Sequence, residues 1–175
     1  MKLSKLWGKI NMVSEKIEEI ILSAGIIMLS IMLIVNIIFR KVGGLIYFTD
    51  DLASFLMILI TFIGLSYATR KAMNIRMGII TDLAPVRVQK ITIFVVSIIN
   101  AVVMFYLSYL SVNYVYYTYQ WKVIASAINM PYWIGIVIVP VGFFLSGIHY
   151  VRTIVKNIQE KEDVWQSAEQ KNEYE

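Results

Sequence analysis

The chain has 175 residues, of which 58% are apolar and only 16% charged, with a formal net charge of +4. A soluble domain carries about 25% charged residues, so this composition excludes an ordinary water-facing fold. The absence of cysteine excludes disulfides, thiol catalysis and thiolate metal sites, and the single histidine excludes a histidine-cluster metal centre.

Residues 1–19 alternate in character at helical spacing. Leu3, Leu6, Trp7, Ile10, Val13 and Ile17 fall on one stripe, and Lys2, Lys5, Lys9, Glu15, Lys16 and Glu18 fall largely elsewhere. This pattern predicts an amphipathic helix lying on the membrane surface, with Trp7 at headgroup depth as an interfacial anchor. A frayed tail is the alternative.

Four long stretches without charge follow. There are 20 uncharged residues between Glu19 and Arg40, 18 between Asp51 and Arg70, 31 between Lys90 and Lys122, and 29 between Lys122 and Arg152. A helix rises 1.5 Å per residue, so about 20 residues cross a hydrocarbon core of about 30 Å. The chain therefore reads as all-α and polytopic. It has four transmembrane helices at about 20–39, 51–69, 90–120 and 131–151 in an antiparallel bundle, followed by a charged tail over 152–175. The first stretch is too long for a signal-peptide core and lacks a clear cleavage site, so it is expected to remain as a span.

Arg40 and Lys41 close the first span, and Gly43-Gly44 mark a short loop. Thr49 is the expected N-cap of the second span, with Asp50 and Asp51 in its first turn, where the helix dipole favours negative charge. A structural ion pair of Arg40 with Asp50 or Asp51 fits the same residues, and so does contact with an extracytoplasmic partner. The loop from Arg70 to Lys90 is basic, and Arg70, Lys71 and Arg76 are expected as interfacial anchors. The third stretch is long enough to leave the bilayer. Its last third carries Tyr106, Tyr109, Tyr114, Tyr116, Tyr117, Tyr119 and Trp121. These fit either an interfacial aromatic belt or a partner-docking surface, for which Tyr116, Tyr117, Tyr119 and Trp121 are the candidates. After a short connection over 122–129, Pro131 suits the first turn of the fourth helix, and Trp133 is a further interfacial anchor. Pro140, near the middle of that helix, predicts a kink rather than a break. His149 is expected at the inner interface.

Thirteen lysines and arginines fall on the side of the N-terminus, the second loop and the tail, against three in the first and third loops. The positive-inside rule then places both termini in the cytoplasm. No span centre carries Asp, Glu, Lys or Arg. The polar residues inside, Asn36, Asn100, Asn113 and Thr61 among them, suit helix–helix contact better than an ion path. A self-contained multidrug exporter would need a carboxylate in the first span, and a membrane enzyme would need clustered His, Asp, Glu or Cys. Neither is present, and nothing in the charge pattern points to nucleic acid.

The run from Ile37 to Lys90 resembles the DctQ-like small membrane subunits of TRAP (tripartite ATP-independent periplasmic) transporters. In that family an arginine closes the first span. A Trp and an acidic pair open the second, a glycine follows about a dozen residues on, and a basic turn with His-Ile and a Leu-Pro precedes the third. Here Arg40, Phe48-Thr49-Asp50-Asp51, Gly64, Arg70-Lys71, Asn74-Ile75-Arg76-Met77 and Leu83-Ala84-Pro85 stand at those places. Asn129-Met130-Pro131-Tyr132-Trp133 and Val139-Pro140-Val141-Gly142 resemble the family's Pro-x-Trp and Pro-x-Gly. Phe48 replaces the tryptophan, aspartates replace glutamates, and Asn74 replaces the histidine, so no role of that histidine carries over.

The resemblance implies the small subunit of a sodium-driven, heteromeric importer in the bacterial inner membrane. Its partners are a large multi-span membrane subunit and an extracytoplasmic substrate-binding protein, besides membrane lipid. The cargo it implies is an organic anion such as a C4-dicarboxylate or sialic acid. The small subunit braces the large one and helps dock the binding protein. No cofactor is expected in this chain, and sodium is expected in the large subunit. The alternative is a structural or assembly subunit of another bacterial membrane complex.

Overall fold

A computed structural model describes residues 2–43, 48–71, 86–126, 128–159, 165 and 167, with side chains from residue 14 in the first stretch and residue 88 in the third. Its elements are helix α1 (Lys2–Lys41), α2 (Phe48–Arg70), α3 (Val86–Gln120), the strands β1 (Ile124–Ala125) and β2 (Met130–Pro131), a short α4 (Tyr132–Ile136) and α5 (Ile138–Gln159). Four stretches among the described residues are helical, long and apolar enough to cross a membrane: Ser14–Lys41, Phe48–Arg70, Val88–Gln120 and Tyr132–Gln159. The four-span, all-α reading of the sequence is thus met. The candidate spans are longer than the sequence reading gave: α1 is a single unbroken helix whose span starts at Ser14 rather than Ile20, and the fourth runs on to Gln159. At 1.5 Å per residue a helix of that length reaches about 60 Å, far beyond a hydrocarbon core. The side chains of Trp7 and Lys2–Lys9, together with Asn74, Arg76 and Leu83–Pro85, lie outside the described residues.

The chain divides into two compact units. The first comprises Met1–Gly64 and Asn113–Val139, and the second Leu65–Val112 and Pro140–Glu175. In the first, α1 and α2 pack antiparallel. A Cβ added at Gly25 would lie 3.0 Å from Ile60, and one added at Gly64 would lie 3.6 Å from Leu22. The Gly64 contact is an ordinary van der Waals distance, so the tighter approach of the two helices is at Gly25. In the second unit α3 and α5 pack antiparallel. Ser108 Oγ donates to the Pro140 carbonyl at 3.0 Å, the Phe105 and Phe144 rings meet edge-on at 5.8 Å, and Ala101 packs with Tyr150.

The molecule is apolar outside and polar inside. Among the described residues the most completely buried side chains are Thr49, Ser66, Ser97, Ser146 and Ser167, while isoleucines, leucines and valines are exposed along α1, α3 and α5. Water would not tolerate that inversion. Lipid does, because helices in hydrocarbon associate through small side chains and hydrogen bonds rather than through apolar burial.

The fourth span is interrupted at Val137, between α4 and α5. Pro140 explains the position. It has no N–H for the Ile136 carbonyl, and its ring crowds that carbonyl. Val137 keeps helical angles (φ −57°, ψ −28°), so the span is interrupted there without ending. Pro131 stands at the N-cap, one residue earlier than expected, with the φ of −59° that its ring imposes. The connection over 122–129 forms a small antiparallel hairpin in which Ile124 pairs with Pro131 and Ala125 with Met130.

Lys122 closes α3. Its N–H donates to the Tyr119 carbonyl (3.2 Å), and the Val123 N–H donates to the Thr118 carbonyl (3.3 Å). These are the two bonds of a Schellman cap, whose penultimate position is left-handed and usually glycine. Lys122 occupies it at φ 46°. Lys122→Gly is therefore expected to stabilise the chain by about 0.5–1 kcal/mol, the left-handed penalty less the added freedom of the unfolded state. A thermal unfolding midpoint at or below wild type would contradict this account.

Candidate docking cleft

Within the first unit, the end of α3, the hairpin, the start of α4 and the start of α2 enclose an open cleft of about 520 Å³. Tyr114, Tyr117, Thr118 and Trp121 line it from α3. Their spacing of three, four and seven residues puts them on one face of the helix. Val123 to Ser126 form the hairpin wall, Tyr132 closes it from α4, and Asp51 from the first turn of α2 is the one charged liner among the described residues.

The wall is braced locally. The Thr118 hydroxyl donates to the Tyr114 carbonyl at 2.8 Å. Tyr132 is held by Phe55, ring centroids 5.4 Å apart, and Phe55 in turn lies against the bare α-carbon of Gly135. The Tyr132 N–H donates to the Val123 carbonyl at 2.9 Å, tying the α4 start to the hairpin. The rings facing the cleft stay accessible: Tyr114 is 59% exposed, Tyr117 58% and Trp121 79%.

The structure sorts the aromatic and acidic residues that the sequence singled out. Asp51, Tyr117 and Trp121 come together in the cleft. Tyr116 and Tyr119 belong to other faces of α3: Tyr116 accepts from Gln120 Nε2 at 2.8 Å, and Tyr119 meets the Trp133 ring edge-on at 5.7 Å. Trp133 thus packs on a tyrosine rather than standing alone as an anchor. Asp50 is exposed at the helix start, where its carbonyl accepts from Ser54 Oγ at 2.8 Å. The ion pair expected between Arg40 and Asp50 or Asp51 is not among the interactions of the described residues. Thr49 lies inside α2, which begins one residue earlier at Phe48. Tyr132, Thr118 and Ser126 were not singled out from the sequence. The face-spacing from Tyr114 to Trp121 would have found Thr118, whereas Tyr132 needs the hairpin.

The second unit holds a buried polar cluster at the other end of α2. Arg70, the last residue of that helix, is 4% exposed, and His149 on α5 is 6% exposed. They meet at 3.4 Å between the guanidinium and Nε2. Arginine has only donors, so Nε2 accepts, and the neutral ring carries its proton on Nδ1. Arg70 was expected at headgroup depth and His149 at the interface; both are instead turned inward. Lys71 is half-buried, with its ammonium 6.0 Å from the Tyr67 ring centroid. Beyond α5, Asn157 holds Trp165 by two hydrogen bonds, Nδ2 to its carbonyl at 2.7 Å and its N–H to Oδ1 at 3.1 Å, and Lys156 lies 3.2 Å over the ring.

Comparison with known proteins adds three findings. The family model described as "Tripartite ATP-independent periplasmic transporters, DctQ component" matches residues 29–160. The ectoine TRAP transporter small permease protein TeaB of Halomonas elongata is 36% identical over 167 residues, covering 95% of this chain and 86% of that protein. The isethionate TRAP transporter permease protein DctMQ of Oleidesulfovibrio alaskensis is 21% identical over 159 residues, covering 87% of this chain and 25% of that protein.

Proposed function

Because this chain belongs to the DctQ component family of tripartite ATP-independent periplasmic transporters, we propose that it braces a large multi-span permease subunit and helps seat an extracytoplasmic substrate-binding protein on it. As a small TRAP permease subunit with four apolar helices it is a multi-pass protein of the inner membrane. The lysine and arginine bias supports cytoplasmic termini, which puts the hairpin and the aromatic cleft on the far side, where a binding protein arrives.

The observation that carries the bracing role is the way the interior polar groups are used. Thr69 bonds back to Leu65, Ser146 to Gly142 and Thr153 to His149, each within its own helix at 2.8–3.0 Å. Hydroxyls that bond back within their own helix leave little to solvate a moving ion. Sodium and substrate are therefore assigned to the large partner, and this chain to its support. The isethionate permease points the same way. This chain matches a quarter of its length, so a segment of this kind there shares one polypeptide with a much larger permease.

The cargo is the finer question. The ectoine relative makes ectoine the first candidate, ahead of the C4-dicarboxylate and sialic acid that the family resemblance implied. The test is uptake into proteoliposomes holding the large permease with or without this chain, supplied with binding protein, ectoine and an inward sodium gradient. Uptake is expected only when both subunits are present, and to collapse with the gradient. Full uptake by the large permease alone would remove the bracing role. Transport of dicarboxylate or sialic acid but not ectoine would reassign the cargo and leave the subunit role intact.

A further inference from the structure

We propose that the aromatic cleft is a cation socket that receives an arginine side chain presented by the extracytoplasmic binding protein. The assignment rests on the docking reading above and adds the chemistry of the contact.

Its lining selects for positive charge. Among the described residues that line the wall, Asp51 is the one carboxylate and none is a lysine or arginine. Tyr114, Tyr117 and Trp121 present aromatic rings from one helix face, and Tyr132 adds a fourth from across the cleft. Aromatic faces carry negative quadrupole density and attract a cation within about 6 Å of the ring centre, tryptophan most strongly. Guanidinium suits such a wall better than ammonium. It is flat, weakly hydrated, stacks on rings and can bind a carboxylate through two N–H groups at once.

A membrane-surface belt does not require this arrangement. Tyr106, Tyr109, Tyr116 and Tyr119, spaced by three and seven residues, form a separate stripe on α3 that such a belt would use. The cleft residues instead converge on one carboxylate. The Phe55–Tyr132 contact fixes one ring in place, which spares part of the ordering cost of binding.

The open form of the cleft decides the source of the cation. Trp121 is 79% exposed, and a free small cation would stay hydrated there and gain little. A protein surface laid over the hairpin would exclude water from the rings, which strengthens both the cation–π and the carboxylate contacts. The volume of about 520 Å³ admits a whole side chain with part of the turn that carries it.

The test measures uptake by the reconstituted two-subunit complex against binding-protein concentration, for wild type, Asp51→Asn and Trp121→Leu. Asp51→Asn keeps the shape and removes the charge, and Trp121 is exposed enough to be replaced without disturbing packing. Each variant is expected to raise the half-saturating binding-protein concentration about tenfold, as the loss of one such contact does. Maximal uptake should be unchanged, and Asp51→Asn should also lose most of the salt sensitivity. Co-purification with the large permease confirms assembly; if Asp51→Asn fails it, Trp121→Leu and competition by free arginine amide decide. Arginine amide, against an equal concentration of sodium chloride, is expected to raise the half-saturating concentration in wild type and not in Trp121→Leu. Unchanged half-saturation in the assembled variants overturns the socket, as does an effect confined to maximal rate. Tight saturable binding of arginine amide without the binding protein would make it a small-molecule site instead. In each case uptake that still depends on this chain leaves the subunit role standing.

Discussion

Replacing Arg70 with alanine is expected to destabilise the chain by about 2–3 kcal/mol, the range for a buried hydrogen bond to a charged group. Arg70 ends α2 at 4% exposure and reaches His149 Nε2 at 3.4 Å. Its charge also sits where the carbonyl end of the helix dipole favours a cation. Removing it takes away the donor that the His149 acceptor, itself 6% exposed, faces at 3.4 Å. Arg70→Lys keeps the charge without the planar fork, so it should recover only part of the loss. The measurement is thermal unfolding of the purified chain in detergent, with His149→Ala and the double variant completing a cycle. A coupling energy of about 1 kcal/mol or more is expected from residues in direct contact. Additive effects would show that other neighbours of Arg70 hold it, and that the histidine is incidental.

Gly135→Val should act on the cleft without touching its lining. A Cβ at position 135 would overlap the Phe55 ring, so a branched side chain must push that ring aside. Overpacking of this kind costs about 1–3 kcal/mol. Phe55 supports Tyr132 at 5.4 Å, so its displacement should also move one wall of the cleft. The expected result is a lower unfolding midpoint together with weaker saturation by the binding protein. Phe55→Leu on the Gly135→Val background makes room and should restore much of the stability. Failure of that rescue would locate the strain in the α4 backbone instead. Gly64→Ala is the internal comparison, since its Cβ would meet Leu22 at an ordinary 3.6 Å.

Much of the architecture was legible along the chain because it depends on local quantities. Uncharged stretches of 18 to 31 residues between charges can be compared directly with bilayer thickness. The interruption near Pro140 was legible too, because proline's missing N–H acts on the residue four positions back. The join between the N-terminal segment and the first span was not. Lys5, Lys9 and Lys16 mark polarity, but a helix continues through a change of polarity as long as its backbone bonds hold. The hairpin at 124–131 also escaped, since Asn129 in its turn takes a positive φ where glycine would have announced it.

The sequence by itself determined four membrane crossings, the absence of ionisable span centres, the family, and an outer end rich in tyrosine. Each follows from composition or spacing within a single helix. Only the tertiary structure decided which of those tyrosines share a site with Asp51, that Tyr132 joins them, and that Arg70 turns inward to His149. Those pairings join residues about 60 to 80 positions apart, and in a membrane protein periodicity gives little guidance to them. Apolar side chains face lipid on almost every side, so the sequence does not mark which face is inside. That choice is made by small residues and hydrogen bonds, which act only once the helices have met.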